Sequence, residues 1–400
     1  MLKKEKLLLF ILALVQFSHI IDFMIIMPLG KQFMAGFDIS PKQFSLLVAS
    51  YAFAAGIAGL VSALYIDRFD RKQAMLWMYA GFTIGTLGCA FAPNYEVFLL
   101  ARALTGIFGG TLGALILAIV GDVFPYERRG HAIGILMMAF SVASVVGVPA
   151  GIFIAGEYGA QSPFMVIGVL SAFFFVVAWY VIPSIQGHLK QDENGKTQHT
   201  SPMGLIKMFL DNPNQQLALL FSMVLMLGHF TTIPFIAVYY ELNIGLTAKE
   251  VALMYAIGGA FTAICLPLFG RLADRYGHAL VFTISSVAAL FSIYAMTNAT
   301  SVNVTLALVI TSSFFIVASG RSVPATTMVT SVVKPENRGS FMAMRQSVNQ
   351  AGLGIASYIG GVLVFENVDG TLGNYHYVGY FAIIMSIIAV LLAWRLKAVA

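Results

Sequence analysis

The sequence is short of charge. Only 10% of its 400 residues are Asp, Glu, Lys or Arg, whereas a soluble domain carries about a quarter. With 59% hydrophobic content, such a chain would aggregate in water but is at home in hydrocarbon. Cysteine is scarcer still. Cys89 and Cys265 both fall inside apolar runs, which reads as two buried small hydrophobes and excludes a disulfide framework. Extended polar sequence is nearly absent outside 186–214, so there is no room for a sizeable soluble domain. A membrane enzyme is disfavoured further, because no nucleophile motif and no His-x-x-x-x-Asp cluster is present. The net charge of +5 does not indicate nucleic acid, since the basic residues lie mainly in short loops; an anionic membrane surface is the better partner.

What the chain does have is a series of apolar stretches near or above the roughly 18 residues needed to cross a bilayer. The first begins at Leu7, carries His19 and Asp22 and runs to Leu29. It is too long and too polar for a cleaved signal peptide and reads as a retained span. Twelve candidate helices follow: 6–29, 43–66, 74–92, 96–120, 131–157 and 163–183, then 216–240, 250–270, 279–297, 304–331, 340–365 and 376–396. They are numbered helix 1 to helix 12 below.

The chain is internally duplicated. Asp67-Arg68 returns as Asp274-Arg275, Pro28 as Pro234 and Arg129-Gly130 as Arg338-Gly339, all displaced by about 207 residues. The expected organisation is a six-helix half over 1–185, an aqueous linker over 186–214 and a second six-helix half over 215–400. The linker holds Lys190, Asp192, Glu193, Lys196 and Lys207 among Gly, Ser, Thr and Gln, with an amphipathic piece near 203–210.

Orientation follows from Lys and Arg. With the amino terminus inside, the cytoplasmic face receives Lys3, Lys4, Lys6, Arg68, Arg71, Lys72, Arg128, Arg129, Lys190, Lys196, Lys207, Arg271, Arg275, Lys334, Arg338, Arg345, Arg395 and Lys397. Only Lys31, Lys42 and Lys249 fall outside, and Arg102 and Arg321 lie within helices. Both termini are expected in the cytoplasm of a bacterial-type inner membrane.

The paired halves and repeated Asp-Arg loops resemble the major facilitator superfamily of secondary transporters, over the whole chain. The loop after helix 2 is similar to that family's Gly-x-x-x-Asp-Arg-x-Gly-Arg-Arg: Asp67, Arg68, Arg71 and Lys72 fit, while Ala63 and Asp70 replace its glycines. The second copy keeps Gly270, Asp274, Arg275 and Gly277 but has His278 where a basic pair would follow. Arg102-Ala-Leu-Thr105-Gly106 resembles the Arg-x-x-x-Gly motif of helix 4, with Thr105 in place of a frequent Gln. Gly147-Val-Pro149-Ala-Gly151 is similar to the antiporter motif of helix 5, with Val148 inserted and Ala143 where a further glycine is usual. The drug and sugar efflux permeases are the branch most resembled.

The resemblance implies an all-α membrane protein of twelve helices that works by alternating access. It implies that the loop carboxylate meets a helix amino terminus of the other half, where about half a positive charge sits. Asp67, Arg68, Arg71, Asp274, Arg275 and Gly277 are thus expected as the gating set, although charges there also serve topology. Gly106, Gly147 and Gly151 suit close helix packing, and Pro149 removes a donor and can bend helix 5.

Five polar residues at membrane depth stand out, because a charge there costs several kcal/mol. They are His19, Asp22, Arg102, His229 and Arg321, on helices 1, 4, 7 and 10, the helices that line the cavity in that family; none falls on helices 3, 6, 9 or 12. Asp22 lies seven residues before Leu29 and Arg102 about six residues into helix 4, so a pair between them is geometrically reasonable. His19 shares the face of Asp22. Asp22, His19 and Arg102 are expected to handle the coupled proton, against the alternative of a permanent structural ion pair. Arg321, His229, Asp22 and Arg102 are expected to meet substrate, with Arg321 pairing with carbonyls freed by Pro324 as the alternative, and a histidine such as His229 is more often a satisfied interior residue than a ligand. Two arginines against one aspartate favour an anionic or zwitterionic substrate.

The expected function is proton-coupled efflux of a small organic or amphipathic molecule by a functional monomer, with the proton gradient as energy source and no cofactor, metal or nucleic acid. An importer or translocator of an organic anion or lipid-like substrate is the alternative. A metal-ion transporter using His19, Asp22 and His229 ranks below these, because the arginines would repel a divalent ion.

Overall fold

A computed structural model describes residues 3–62, 66–124, 126–186, 212–333 and 338–398. The 203–210 amphipathic piece, nearly all of the linker and the side chains of Asp67, Arg129 and Arg338 lie outside the described residues. The protein is an all-α bundle of twelve spans in two six-helix halves. Ten helices are long and apolar enough to cross a membrane. The other two, helix 3 (Arg71–Ala90) and helix 11 (Arg338–Leu363), are equally long but more polar, and pack within the same bundle.

The duplication is written in the helix caps. Ser40 and Gln43 bond each other's backbone amides ahead of helix 2 (Pro41–Ser62), and Thr247 and Glu250 repeat that reciprocal cap ahead of helix 8 (Ala248–Tyr276). Asn94 caps helix 4 (Tyr95–Val123) and Asn303 caps helix 10 (Val304–Ser331) in the same way, each accepting from the amide three residues on.

Helices 1 and 7 differ from expectation. Helix 1 does not stop at Leu29: it runs Lys3–Ile25, turns and resumes as Gly30–Phe37. Helix 7 likewise runs Pro213–Phe230 and resumes as Ile233–Leu242. The breaks fall at Pro28 and Pro234, the matched prolines, each of which removes one backbone donor. At the second break the Thr232 carbonyl accepts from the Phe235 amide at 3.2 Å and from the Tyr375 hydroxyl at 3.0 Å. Helix 5 (Tyr126–Tyr158) contains a π-helical turn at Ala143–Gly147 just ahead of Pro149, so the proline disturbs the turn before it. Gly147 and Gly151 lie against Ile21 and Ile25 of helix 1, and Gly106 lies against the backbone of Tyr51.

Among the described residues, the halves share a buried apolar core at one end only. Around the tips of helices 1 and 7, residues of both halves form a single core: Leu29, Phe33 and Phe44 pack in one cluster with Phe235, Val238 and Tyr240. Gly30 is wedged there, since a Cβ on it would sit 2.5 Å from Val238. Towards the termini there are two cores. One gathers Leu8, Leu12, Phe82, Ile116 and Ile182, the other Phe221, Leu225, Phe282, Val329 and Phe341. Helix 2 and helix 11 run alongside each other between the halves; a Cβ on Gly56 would lie 3.2 Å from the Ser347 carbonyl. Helix 5 meets helix 8 where Gly259 faces Ser144.

Candidate functional site

The polar residues of the first half converge. Arg102, fully buried, donates from Nη1 to the Asp22 carboxylate at 2.8 Å and approaches the Asp22 carbonyl at 3.4 Å. Asp22 is equally enclosed and also accepts from Thr86 at 3.0 Å, so helices 1, 3 and 4 meet at this carboxylate. Asp22 lies deeper from the tip of its helix than the count to Leu29 implies, because the helix continues beyond the break; the pair forms nonetheless. Nε and Nη2 of Arg102 have no partner. Its guanidinium instead covers the Tyr51 ring, 4.6 Å from the centroid.

His19 does not join Asp22. Its Nε2 lies 2.8 Å from the Tyr51 hydroxyl, its ring meets Phe82 edge-on, and its Nδ1 is unpartnered. Tyr51 thus links His19 to Arg102, and it stands on helix 2, which borders the other half. Tyr51 escaped the sequence reading because a tyrosine in an apolar span carries no charge to mark it.

The second half is arranged differently. Arg321, 2% exposed, donates from Nη2 to the Ser386 hydroxyl at 3.1 Å and leaves Nε without a partner. It bonds helix 12 (Tyr375–Ala393) and not the carbonyls near Pro324. His229 stacks on Phe314 with ring centroids 5.5 Å apart and 14° between planes; its side chain has no hydrogen bond among the described residues. Arg345, counted by topology with the loop charges, is buried in the bundle, where it donates to Ser222 and Thr326 at 3.2 Å each. The break in helix 7 hid another residue: Glu241 on the outer segment is 7% exposed and faces Lys31 of helix 1 at 3.8 Å, across the halves.

At the termini-bearing end, the expected gating residue Asp67 lies outside the described side chains, and the contacts of the others among the described residues fall within their own halves. Arg71 donates to Asp122 at 3.0 Å. Arg68 is exposed, Asp274 faces only His278 at 3.9 Å, and Arg275 lies over Tyr276. Gly277 closes helix 8 at φ +95°, a backbone state that favours glycine. Asp70, standing where the motif would have glycine, caps helix 3 through the Lys72 amide at 2.7 Å. It also accepts from Ser184, Gln186 and the Ile185 amide at the end of helix 6. Burial opposes its charge, but these four bonds together hold the carboxyl below the usual range.

No cluster able to hold a metal ion occurs among the described residues. The family model for the Major Facilitator Superfamily matches residues 12–320 and 218–399. The chain belongs to the Major Facilitator Superfamily. Among curated relatives, it is 26% identical over 257 residues to an uncharacterized MFS-type transporter, YwfA, of Bacillus subtilis, covering 64% of this chain and 61% of that one. It is 24% identical to a probable sugar efflux transporter of Mannheimia succiniciproducens, with the same two shares. The chain therefore spans about three-fifths of the length of these two relatives. Multidrug resistance protein 2 of Bacillus subtilis is 21% identical, over 86% of this chain and 85% of its own. Among solved structures, the nucleoside transporter NupG superposes with a TM-score of 0.77 at 15% identity, covering 98% and 99% of the two chains. The xylose transporter XylE from E. coli, partially occluded and inward open, gives 0.74 at 17%, covering 97% of each. At these identities the structural likeness establishes the fold. The relatives and structures so named are transporters, and this chain shares their superfamily.

Proposed function

We propose that this transporter couples proton movement to export of a small organic molecule by alternating access, with Asp22 as the proton carrier. The observation that carries the reading is the enclosed Asp22–Arg102 contact at 2.8 Å. Two opposed influences act on that carboxyl: burial penalises its charge and the guanidinium favours it. A conformational change that alters either one loads or releases a proton. Protonation would free Arg102 from its counter-ion, and Arg102 rests on Tyr51, so the change reaches helix 2 and its boundary with helix 11. His19 tunes this linkage through the Tyr51 hydroxyl. Efflux is supported by the names of the relatives, a probable sugar efflux transporter and a multidrug resistance protein.

In this reading the halves 1–185 and 215–400 rock about the shared core. The termini, the linker and the basic loops face the cytoplasm, and the Lys31–Glu241 contact belongs to the closed outer side. Asp67, Arg68, Arg71, Asp274, Arg275 and Gly277 act as the gate when the cytoplasmic side closes. The unpaired arginines of the second half favour the alternative cargo, an organic anion, and that observation is developed below.

The test uses inverted membrane vesicles energised to an acid interior, with acridine orange reporting the gradient. Ethidium, a pentose and benzoate are added in turn. At least one should dissipate the gradient in the wild type, and none in Asp22→Asn, whose amide keeps the shape but cannot change charge. Equal dissipation by the two proteins would remove Asp22 from the coupling role.

A further inference from the structure

The described residues include four buried arginines, two in each half, and the halves treat them oppositely. Arg71 and Arg102 each face a carboxylate, Asp122 and Asp22. Among the described residues, Arg321 and Arg345 face only hydroxyls, those of Ser386, Ser222 and Thr326. A hydroxyl accepts a hydrogen bond but cannot neutralise a guanidinium, which stays charged in proteins. Removing such a charge from water costs several kcal/mol unless a counter-ion repays it. The buried carboxylates among the described residues are engaged elsewhere, Asp22 with Arg102, Glu241 with Lys31, and Asp70 with Ser184, Gln186 and the Lys72 and Ile185 amides.

We propose that the polar centre of the second half is a binding subsite for an oxyanion, the carboxylate or phosphate of the transported molecule, held by Arg321 and approached past Arg345. This rests on the reading of the chain as a transporter with its cargo between the halves. Three observations point the same way. Arg321 retains an unpartnered Nε–H next to Nη2, the edge that suits two oxygens of one oxyanion. Helix 10 exposes Ser322 and Thr326, four residues apart on one face, whereas elsewhere its exposed residues include Leu306 and Val309. Thr326 is also a partner of Arg345, so this exposed polar face leads from one arginine towards the other. Beside Arg321 stands His229, within its electrostatic reach and flat against Phe314, with Phe230 edge-on. The ligand chemistry is therefore an anionic head with an apolar or aromatic body: the guanidinium takes the head and the rings take the body. A lipophilic cation does not fit, because nothing at this centre offers it a free negative charge.

The experiment measures melting of the purified protein in neutral detergent at constant ionic strength, titrating benzoate, phenyl phosphate and inorganic phosphate against chloride. Benzamide serves as the uncharged match for benzoate. Benzoate or phenyl phosphate should raise the melting temperature saturably and benzamide should not. Arg321→Gln should weaken that affinity about tenfold or more, as expected on losing one partner of a charged pair, and Arg321→Lys should lie between. The melting shift is read without a proton gradient and the vesicle assay requires one, so a failure of coupling and a failure of the subsite are read separately. The wild-type comparison of benzoate with benzamide needs no variant, and Arg321→Met, which fills the site with an apolar chain, provides a folded reference should the glutamine variant not fold. Three results would overturn the proposal: no anion stabilising beyond chloride, unchanged affinity in both Arg321→Gln and Arg321→Met, or stabilisation by inorganic phosphate alone, which signifies an adventitious ion only. In a further arm, nanodiscs of phosphatidylglycerol are compared with phosphatidylcholine. An Arg321-dependent response to phosphatidylglycerol, without one to benzoate or phenyl phosphate, would assign the site to a lipid headgroup and reject the substrate role.

Discussion

The two halves share a plan but not a charge balance. Asp22 and His229 occupy corresponding places in the duplicated sequence, one turn or two ahead of the helix break, yet Asp22 binds an arginine and His229 lies against a phenyl ring. The first half is electrostatically complete in itself. The second holds two guanidiniums without a carboxylate among the described residues. Under the proposed function, the difference would separate the two tasks of a coupled transporter: a site that only exchanges a proton can be self-neutralising, whereas a site that receives a charged cargo must lack its counter-ion until the cargo arrives. Duplication supplies the common frame, and divergence at a few buried positions supplies the division of labour.

The largest effect expected from breaking this comparison is a difference of sign. Asp22→Ala strands Arg102 in a buried site, and loss of one partner of a buried pair costs about 3–5 kcal/mol. Arg321→Met removes a charge that no carboxylate balances and puts an apolar chain of similar length in its place, so it should leave stability unchanged or raise it. Thermal melts in one detergent measure both. A large loss in Arg321→Met would mean that the second half is neutralised by a partner, and the contrast between the halves would collapse.

Much of this frame was legible in the chain and much was not, for a reason peculiar to lipid. Span length follows from hydropathy, and the matched prolines and Asp-Arg loops expose the repeat. The Asp22–Arg102 contact also follows, because two opposite charges at similar depth have few other partners. Rotation is harder. In water an amphipathic stripe shows which face of a helix is buried, but here both faces are apolar and the stripe is lost. Nothing in the local sequence therefore shows that Arg345 turns into the bundle, that Tyr51 lies beneath Arg102, or that His19 prefers Tyr51 to Asp22. Pro28 and Pro234 are visible as a pair, but a proline marks an interruption equally well as an end, so the sequence puts Lys31 beyond the end of helix 1 and runs helix 7 unbroken through Pro234, stopping one residue short of Glu241.

A second comparison concerns the loops at the termini-bearing end, where Asp70 of the first half corresponds to Gly277 of the second. Asp70 ties helix 3 to the end of helix 6, and Asp70→Asn should cost about 1.5–3 kcal/mol at neutral pH, the range for a hydrogen bond to a charged group. The pH dependence has a definite sign. A carboxyl held below its ordinary value of 3.8 in the folded protein stabilises it fully at higher pH, and that contribution is lost as pH falls through the folded value. The gap in melting temperature between wild type and Asp70→Asn should thus be full at pH 7 and begin to close only below about pH 4. A gap independent of pH would show that the charge on Asp70 is not what ties the loop.

The smallest effect tests the opposite solution to the same turn. Gly277 ends helix 8 and begins helix 9 (His278–Thr297) with no space constraint, since a Cβ placed there would meet nothing within 4 Å. Only its φ of +95° demands glycine. Gly277→Ala should therefore cost about 1–2 kcal/mol through backbone strain alone, with no dependence on pH. Gly277→Asn should cost as much as alanine, because with ψ at 137° the residue lies outside the left-handed helical region that asparagine tolerates. If asparagine were much better tolerated than alanine, the turn would have to relax into the left-handed helical region, and its observed backbone conformation would not be what demands glycine. If neither had an effect, the turn would be free to relax, and only the Asp70 side of the comparison would hold its helices by a specific local device.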